Sequence, residues 1–526
     1  MQKILFNGAW TDSSSPRSQF HAFNPSTKAE LKERAFPESN WQEIESIVDA
    51  AYEAAQTLLE TEPNALAAFL ETYAAKIEVA TDRLAAVAHE ETGLPVSPRL
   101  AGVEIPRTIN QIRQAAAAAR SGDWARPTVD TENNIHSMHG PLGGPVVVFG
   151  PNNFPFAYNG IAGGDFASAI AAGNPVIAKA HPAHPYTTQL LAELAQEAAN
   201  EMGLPSGTVQ LFYGTAPENG LKLVAHPKVA AVGFTGSRPG GLALKEAADK
   251  AGTPIYLEMS SVNPVFVLPG ALEERGPEIG EELHASCTLG AGQFCTKPGL
   301  VVLQESKEAS ALIEQMAESF SQTPPGILLT GGGVKAVSNA VEQLKAAGAK
   351  VAAGGNVANT AHFGYEPTLL TVDGDTFLAN PSELQSEAFG SVCLVVTATD
   401  IEQLKAVAAA LEGNLTGSIY SESQGRDDDS YAGLAKTLRT KVGRLLNDKV
   451  PTGVAVCPSM NHGGPYPATG HPGFTAVGFP ASVIRFSALH SYDNVREHRL
   501  PVALRKKNPT GTLNRLVNGK WTTADA

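Results

Sequence analysis

The chain has 526 residues, 43% of them apolar and 17% charged, with a formal net charge of −14. That length holds roughly two to four domains, and the composition is that of a folded globular protein rather than a disordered one. An acidic chain has no electrostatic pull toward nucleic acid or an anionic membrane, so neither is an expected partner.

The start, MQKILFNGAW, lacks the long apolar stretch and small-residue cleavage site of a secretion signal. No run of about eighteen apolar residues offers a membrane span. Cys287, Cys295, Cys393 and Cys457 are scattered, with no C-x-x-C pair. They fit a reducing compartment better than a disulfide framework or a zinc site. A cytoplasmic protein without a bound metal is the expectation.

Residues 41–119 are rich in Ala, Leu and Glu at helical spacing and predict helices. A second rhythm begins near Gly143. VVVFG is a β-branched run that predicts a buried strand, YNGIAGGDFASAIAAG a small-residue helix, and PVIAKA a strand. An amphipathic helix over TTQLLAELAQEAANEMG follows, then the strand TVQLFYG and the short helix PENGLKLVAH. The strand VAAVGFTGS, the helix GLALKEAADKAG and the strand PIYLEM complete the series. Such alternation argues for a parallel sheet with helices on both faces, which takes ligands at the carboxyl ends of its strands. A second series runs from NPVFVLPGA through LVVLQ, a helix over 308–321, SVCLVVTA, a helix over 401–411 and TGSIYS. The tail after Pro480 shows one strand-like piece, SVIRF, and then a basic, irregular segment.

Chemistry-bearing residues cluster at the strand ends. FGPNNFPF follows the strand VVVFG, and its asparagines are either ordinary turn formers or donors to a developing oxyanion. Lys179 closes PVIAK, where a cation faces either solvent or a ribose phosphate. His181 and His184 lie three apart, but the intervening prolines argue against a shared metal. GFTGSRPGG is a glycine-rich turn into a helix, suited to phosphate but common. Glu258 ends an apolar strand, as a plausible base or as a solvent-facing carboxylate. Cys295 sits in GAGQFCTKPG. By residue type alone it reads as a small buried hydrophobe.

Taken in order, these pieces resemble the NAD(P)-dependent aldehyde dehydrogenases. They are Pro151-Asn152-Asn153-Phe154-Pro155, Lys179, Phe234-Thr235-Gly236-Ser237, Leu257-Glu258, Gly292-Gln293-Phe294-Cys295 and Glu387-Ala388-Phe389-Gly390. Each is weak alone, and the resemblance spans nearly the whole chain. It implies an α/β fold with two Rossmann-like parallel-sheet domains and a small β oligomerisation arm. The cofactor-binding domain would take 1–131 and 151–257, the catalytic domain 258–479, the arm 132–150 and 480–500, and a C-terminal extension 501–526. A homodimer or homotetramer follows by the same likeness.

The resemblance makes Cys295 the nucleophile that attacks an aldehyde carbonyl. Asn153 and the Cys295 backbone N–H would hold the oxyanion, and Glu258 would activate the water that releases the acyl group. Lys179, Gly236, Ser237, Gly241, Glu387 and Phe389 would line the cofactor. Many members carry a glutamate three residues after the lysine, where it binds the adenosine ribose. Here Pro182 stands in its place, removing a repulsive charge from a 2′-phosphate, with Lys179 or Arg238 left to attract it. NADP over NAD is the expectation, with NAD possible.

LEMSSVNPVFVLPGAL, HGGPYPATG and the tail LPVALRKKNPTGTLNRLVNG resemble the branch of 2-oxoglutarate semialdehyde (2,5-dioxopentanoate) dehydrogenases and bacterial long-chain fatty aldehyde dehydrogenases. The first substrate is preferred. The second would suit an apolar tunnel lined by Phe156, Phe294 and Phe474. A CoA-acylating enzyme would need no Glu258. A cysteine hydrolase would need a histidine beside Cys295, and the sequence places none there.

Overall fold

The computed structural model describes residues 1–526. Its first sheet has seven strands, in the spatial order Ile255–Glu258, Ala231–Thr235, Val146–Phe149, Val176–Lys179, Val209–Phe212, Ile4–Phe6 and Ala9–Thr11. The five strands from Val146 to Glu258 are mutually parallel. Their Val, Ile, Ala and Leu side chains are buried on both faces, as strands sandwiched between helix layers require. The register pairs Lys179 with Phe149 and Phe212, and Thr235 with Glu258, so the candidate residues end together on one carboxyl edge.

The second sheet also has seven strands: Lys350–Ala353, Thr368–Asp373, Val392–Ala398, Leu300–Gln304, Val265–Val267, Asn414–Tyr420 and Val442–Asn447. All but the first pair in parallel. Cys295 lies just before the strand Leu300–Gln304, and Glu387 just before Val392–Ala398. The carboxyl edge of the first sheet therefore meets the amino edge of the second.

The third sheet has five strands and departs from the expected boundaries. It contains Ala488–Asp493, Ile135–Gly140, Thr128–Asp130, Arg515–Val517 and Lys520–Thr522. Val146–Phe149, expected at the end of the arm, is instead hydrogen-bonded inside the first sheet. SVIRF is a run of 3₁₀ turns over Ala481–Phe486, not a strand. Val483 and Phe486 are buried three residues apart, which is the 3₁₀ period rather than the alternation of a strand. The tail is not irregular. Arg515, fully buried, donates to the carbonyls of Arg505 (2.5 Å), Lys506 (3.1 Å) and Ala524 (2.9 Å), tying the terminal hairpin to the tail segment before it, while Leu516 and Val517 pair with Thr128 and Val129 of the arm.

The helix expected over YNGIAGGDFASAIAAG starts only at Gly164. Before it, Asn159 holds a turn by donating to the Pro155 carbonyl (2.9 Å) and accepting from the Ile161 N–H (3.1 Å). That competition with helical bonding is why the chain between Pro155 and Gly163 stays compact but non-helical. No helix is long and apolar enough to cross a membrane.

Candidate active site

The loop carrying Cys295 is shaped by backbone constraint. Gly290, Ala291 and Gly292 all take positive φ, at 58°, 56° and 69°. A Cβ on Gly292 would lie 2.2 Å from the carbonyl carbon of Gly390, so the Cys295 loop and the Glu387–Gly390 segment meet backbone to backbone. Side-chain amides fix the rest. Gln293 donates to the Ile327 carbonyl (3.0 Å) and accepts from the Leu329 N–H (3.0 Å). Asn263, itself at φ 48°, donates to the carbonyls of Cys295 (2.8 Å) and Lys297 (2.9 Å). Lys297 is almost fully buried and donates to the Val392 carbonyl at 2.6 Å.

Asn153 enters from the first sheet. Its side-chain amide donates to the Gln293 carbonyl at 2.9 Å, two residues from the thiol. An amide nitrogen carries two hydrogens. One is thus used to aim the group, and the second is available to an oxyanion. The turn behind it is held by Glu104, fully buried, which accepts from the backbone N–H groups of Phe156 (2.8 Å) and Ala157 (3.1 Å) and pairs with Arg99.

The residue that sequence reasoning missed is His462. Its Nε2 lies 3.1 Å from the Cys295 Sγ and 2.9 Å from Glu258 Oε1, with its side chain fully buried. The expectation that no histidine accompanies Cys295 is therefore corrected. One nitrogen faces both the thiol and the carboxylate, so it can accept the thiol proton and return it to the sulfur when the acyl group leaves, while the carboxylate stays free to act as a base. His462 lies 167 residues beyond Cys295, in a glycine- and proline-rich run without strand or helix periodicity. Only the HGGPYPATG likeness marked that stretch. The ligand atoms of Glu258, Cys295 and His462 all lie within 4.8 Å of one another, a triangle that also suits a soft metal cation.

Burial and the neighbouring Glu258 carboxylate push the Cys295 thiol well above its usual range, while the Arg107 guanidinium opposes them. The unassisted thiol is thus a poor nucleophile near neutral pH. Burial also raises the Glu387 carboxyl. Glu387 stands within electrostatic reach of both Cys295 and Arg238.

The other candidates divide. Lys179 and Pro182 line one cleft of about 520 Å³ with His181, Gly214, Thr215, Leu329, Thr330 and Gly331. Burial pushes Lys179 down to about 8. The cleft is not free of carboxylate, because Glu38 forms part of its wall and acts on Lys179. Arg238 forms a partly exposed ion pair with Glu412 at 2.9 Å. Ser237 caps the helix Arg238–Ala251 without a side-chain hydrogen bond to it. Gly241 packs where a Cβ would meet Met259 at 2.8 Å, and at Gly236 one would meet the Phe234 ring at 2.9 Å.

Of the aromatic candidates, Phe294 packs edge-on against Phe154 at 5.4 Å. Phe474 lines a narrow cavity of about 50 Å³ with Tyr158, Tyr256, Glu258 and His462. Phe156 does not line a tunnel; it is fully buried in the core of the first domain. The proline turn sends Phe156 inward, and Phe154 is the ring that reaches the site.

Residues 10–435 match the model of the aldehyde dehydrogenase family. The chain belongs to that family. It is 39% identical to an alpha-ketoglutaric semialdehyde dehydrogenase 2 of Azospirillum brasilense, over 95% of each chain. It is 36% identical to an alpha-ketoglutaric semialdehyde dehydrogenase of Acinetobacter baylyi, over 93% of each. A long-chain-aldehyde dehydrogenase of an Acinetobacter species is 27% identical over 74% of this chain and 76% of its own. In structure the chain is similar to lactaldehyde dehydrogenase from Escherichia coli, with a TM-score of 0.80 at 23% identity, covering 93% of this chain and 98% of the other. This aldehyde dehydrogenase is accordingly an NAD(P)-dependent aldehyde oxidoreductase.

Proposed function

We propose that this aldehyde dehydrogenase oxidises alpha-ketoglutaric semialdehyde to 2-oxoglutarate through a thioester on Cys295, taking NADP in preference to NAD. The observation that carries the chemistry is the contact of one His462 nitrogen with both Cys295 and Glu258. His462 draws the proton from Sγ as the sulfur attacks the aldehyde carbon. Asn153 and the Cys295 N–H hold the oxygen as charge develops on it. NAD(P), when bound, supplies the hydride acceptor. Lys179 would hold its adenosine half, Ser237 with the following helix start its phosphates, and Glu387 its nicotinamide ribose. The cleft's size, mixed lining and single lysine fit such a group. Glu258 then takes the proton from the water that hydrolyses the thioester.

The substrate rests on the two semialdehyde dehydrogenases that the chain matches over nearly its full length. The NADP preference rests on Pro182 and on Lys179. Glu38, which lines the same cleft, works against it. Subunits would join through the arm, whose strand Ala488–Asp493 pairs only with Ile135–Gly140 and leaves its outer edge open.

The test is kcat/KM for alpha-ketoglutaric semialdehyde, succinic semialdehyde and dodecanal, each with NADP and with NAD. The proposal requires alpha-ketoglutaric semialdehyde with NADP to rank first. Dodecanal ranking first would replace the substrate, and acyl-CoA formation on adding CoA would replace water as the acceptor.

A further inference from the structure

A dicarboxylate semialdehyde carries a negative charge at the end remote from its aldehyde, and an enclosed site must meet that charge with a cation. Three arginines surround the Cys295 loop, and two are already committed. Arg99 is paired with the buried Glu104 and donates to the Asn153 carbonyl at 3.1 Å. Arg444 holds the carbonyls of Pro451 (2.7 Å) and Gly453 (3.0 Å) and so fastens a loop.

Arg107 is different. It stands in the first turn of the helix Ile105–Ser121, and its one hydrogen bond goes to the Tyr158 hydroxyl at 2.9 Å. Its Nε is buried without a partner, as are those of Arg99 and Arg444, so what sets Arg107 apart is the guanidinium nitrogens, which hold no carboxylate and no carbonyl. No carboxylate lies within ion-pair distance, since the nearby Glu104 is taken by Arg99. The position relative to the thiol is set by rings. The Tyr158 ring lies 5.8 Å from the His462 ring, and the Arg107 guanidinium 5.1 Å from the Tyr158 ring. The guanidinium is thus one aromatic ring away from the reacting atoms, close enough for its charge to act on Cys295.

We infer that Arg107 is a specificity residue that binds the distal carboxylate of the substrate. The inference rests on the semialdehyde reading above. A half-buried guanidinium with unused donors has room for a partner, and a planar carboxylate satisfies it with two parallel hydrogen bonds. Tyr158 holds the fork in place before the substrate arrives.

The experiment compares wild type, Arg107→Met and Arg107→Lys on alpha-ketoglutaric semialdehyde and on pentanal, an uncharged aldehyde of the same length. Arg107→Met should lower kcat/KM for the charged aldehyde by about 100-fold, mainly through KM, and cost pentanal at least about tenfold less, the pentanal loss reporting the charge that both aldehydes lose beside Cys295. Arg107→Lys should recover part of the loss. The inhibition constant of 2-oxoglutarate should rise with Arg107→Met by a similar factor. An equal loss on both aldehydes, or no loss on the charged one, overturns the role of Arg107 while sparing the semialdehyde reading. A wild-type enzyme that prefers pentanal removes the semialdehyde reading and this inference with it. Should Arg107→Met not fold, Arg107→Lys decides alone: it keeps the charge beside Cys295 but not the planar fork, so it must weaken 2-oxoglutarate inhibition and spare pentanal.

Discussion

At the residue scale, the chemistry turns on a thiol held in an environment that opposes its ionisation. Burial and Glu258 both disfavour the thiolate, so a partner that removes the proton during attack is worth more here than a thiolate formed in advance. In the proposed mechanism His462, 3.1 Å from the sulfur, is that partner. His462→Gln should lower kcat by roughly 100-fold near neutral pH. The free enzyme's alkylation by iodoacetamide reads the thiol directly. Because the thiol is pushed up, its rate should rise with pH well into the alkaline range, and the variant should approach wild type only at the alkaline end. A His462→Gln enzyme with unchanged kcat and alkylation profile would return His462 to a packing role. Cys295 and Glu258 were legible as candidates because each sits in a short motif at a strand end. His462 was not, because its contact exists only after a chain segment without periodicity folds back across both sheets.

At the scale of elements, the site depends on where strands end. Parallel strands of similar length in register deliver Lys179, Thr235 and Glu258 to a common edge, and the β-branched runs that specify them are plain in the sequence. The backbone meeting of Gly292 with Gly390 was hidden, since a glycine in a glycine-rich loop carries no sign of what approaches it. Gly292→Ala adds a Cβ at positive φ, 2.2 Å from a backbone carbon. The expected cost is at least about 2 kcal/mol, with the Cys295 loop displaced. Calorimetry should show a lower Tm, and kcat should fall at least tenfold in the protein that remains folded. A variant with wild-type Tm and kcat would mean that the loop tolerates movement there. SVIRF fails for a related reason. Its apolar residues suit a short strand or tight turns equally, and packing against the helix Gly164–Ala171 decides for turns.

At the scale of the molecule, two parallel sheets face each other edge to edge, with opposite ends of their strands contributing to one cleft. The alternating series made the two α/β units legible. The arm was harder to read, because it is assembled from distant pieces: residues 128–140, 488–493 and 515–522. No local pattern announces that the terminal hairpin joins a strand nearly 400 residues away; Leu516 and Val517 pair in parallel with Thr128 and Val129, and Asn518 accepts from the Thr131 N–H and donates to its hydroxyl. The open edge of Ala488–Asp493, with Leu489 63% exposed, is where the proposed second subunit would add. Ser491→Pro places a residue without an N–H on that strand. Light scattering should then show a smaller species than wild type at equal concentration. An unchanged mass would move the interface elsewhere.

The central claim is that the aldehyde carbon becomes bonded to the Cys295 sulfur and is released by water that Glu258 activates. Stopped-flow absorbance of Glu258→Gln with alpha-ketoglutaric semialdehyde and NADP, followed by acid quench and mass spectrometry of the Cys295 peptide, tests it most directly. The account predicts a burst of about one NADPH per subunit, slow turnover afterwards, and an acyl mass on Cys295. Turnover at the wild-type steady rate, or an unmodified Cys295 after a full burst, would contradict it.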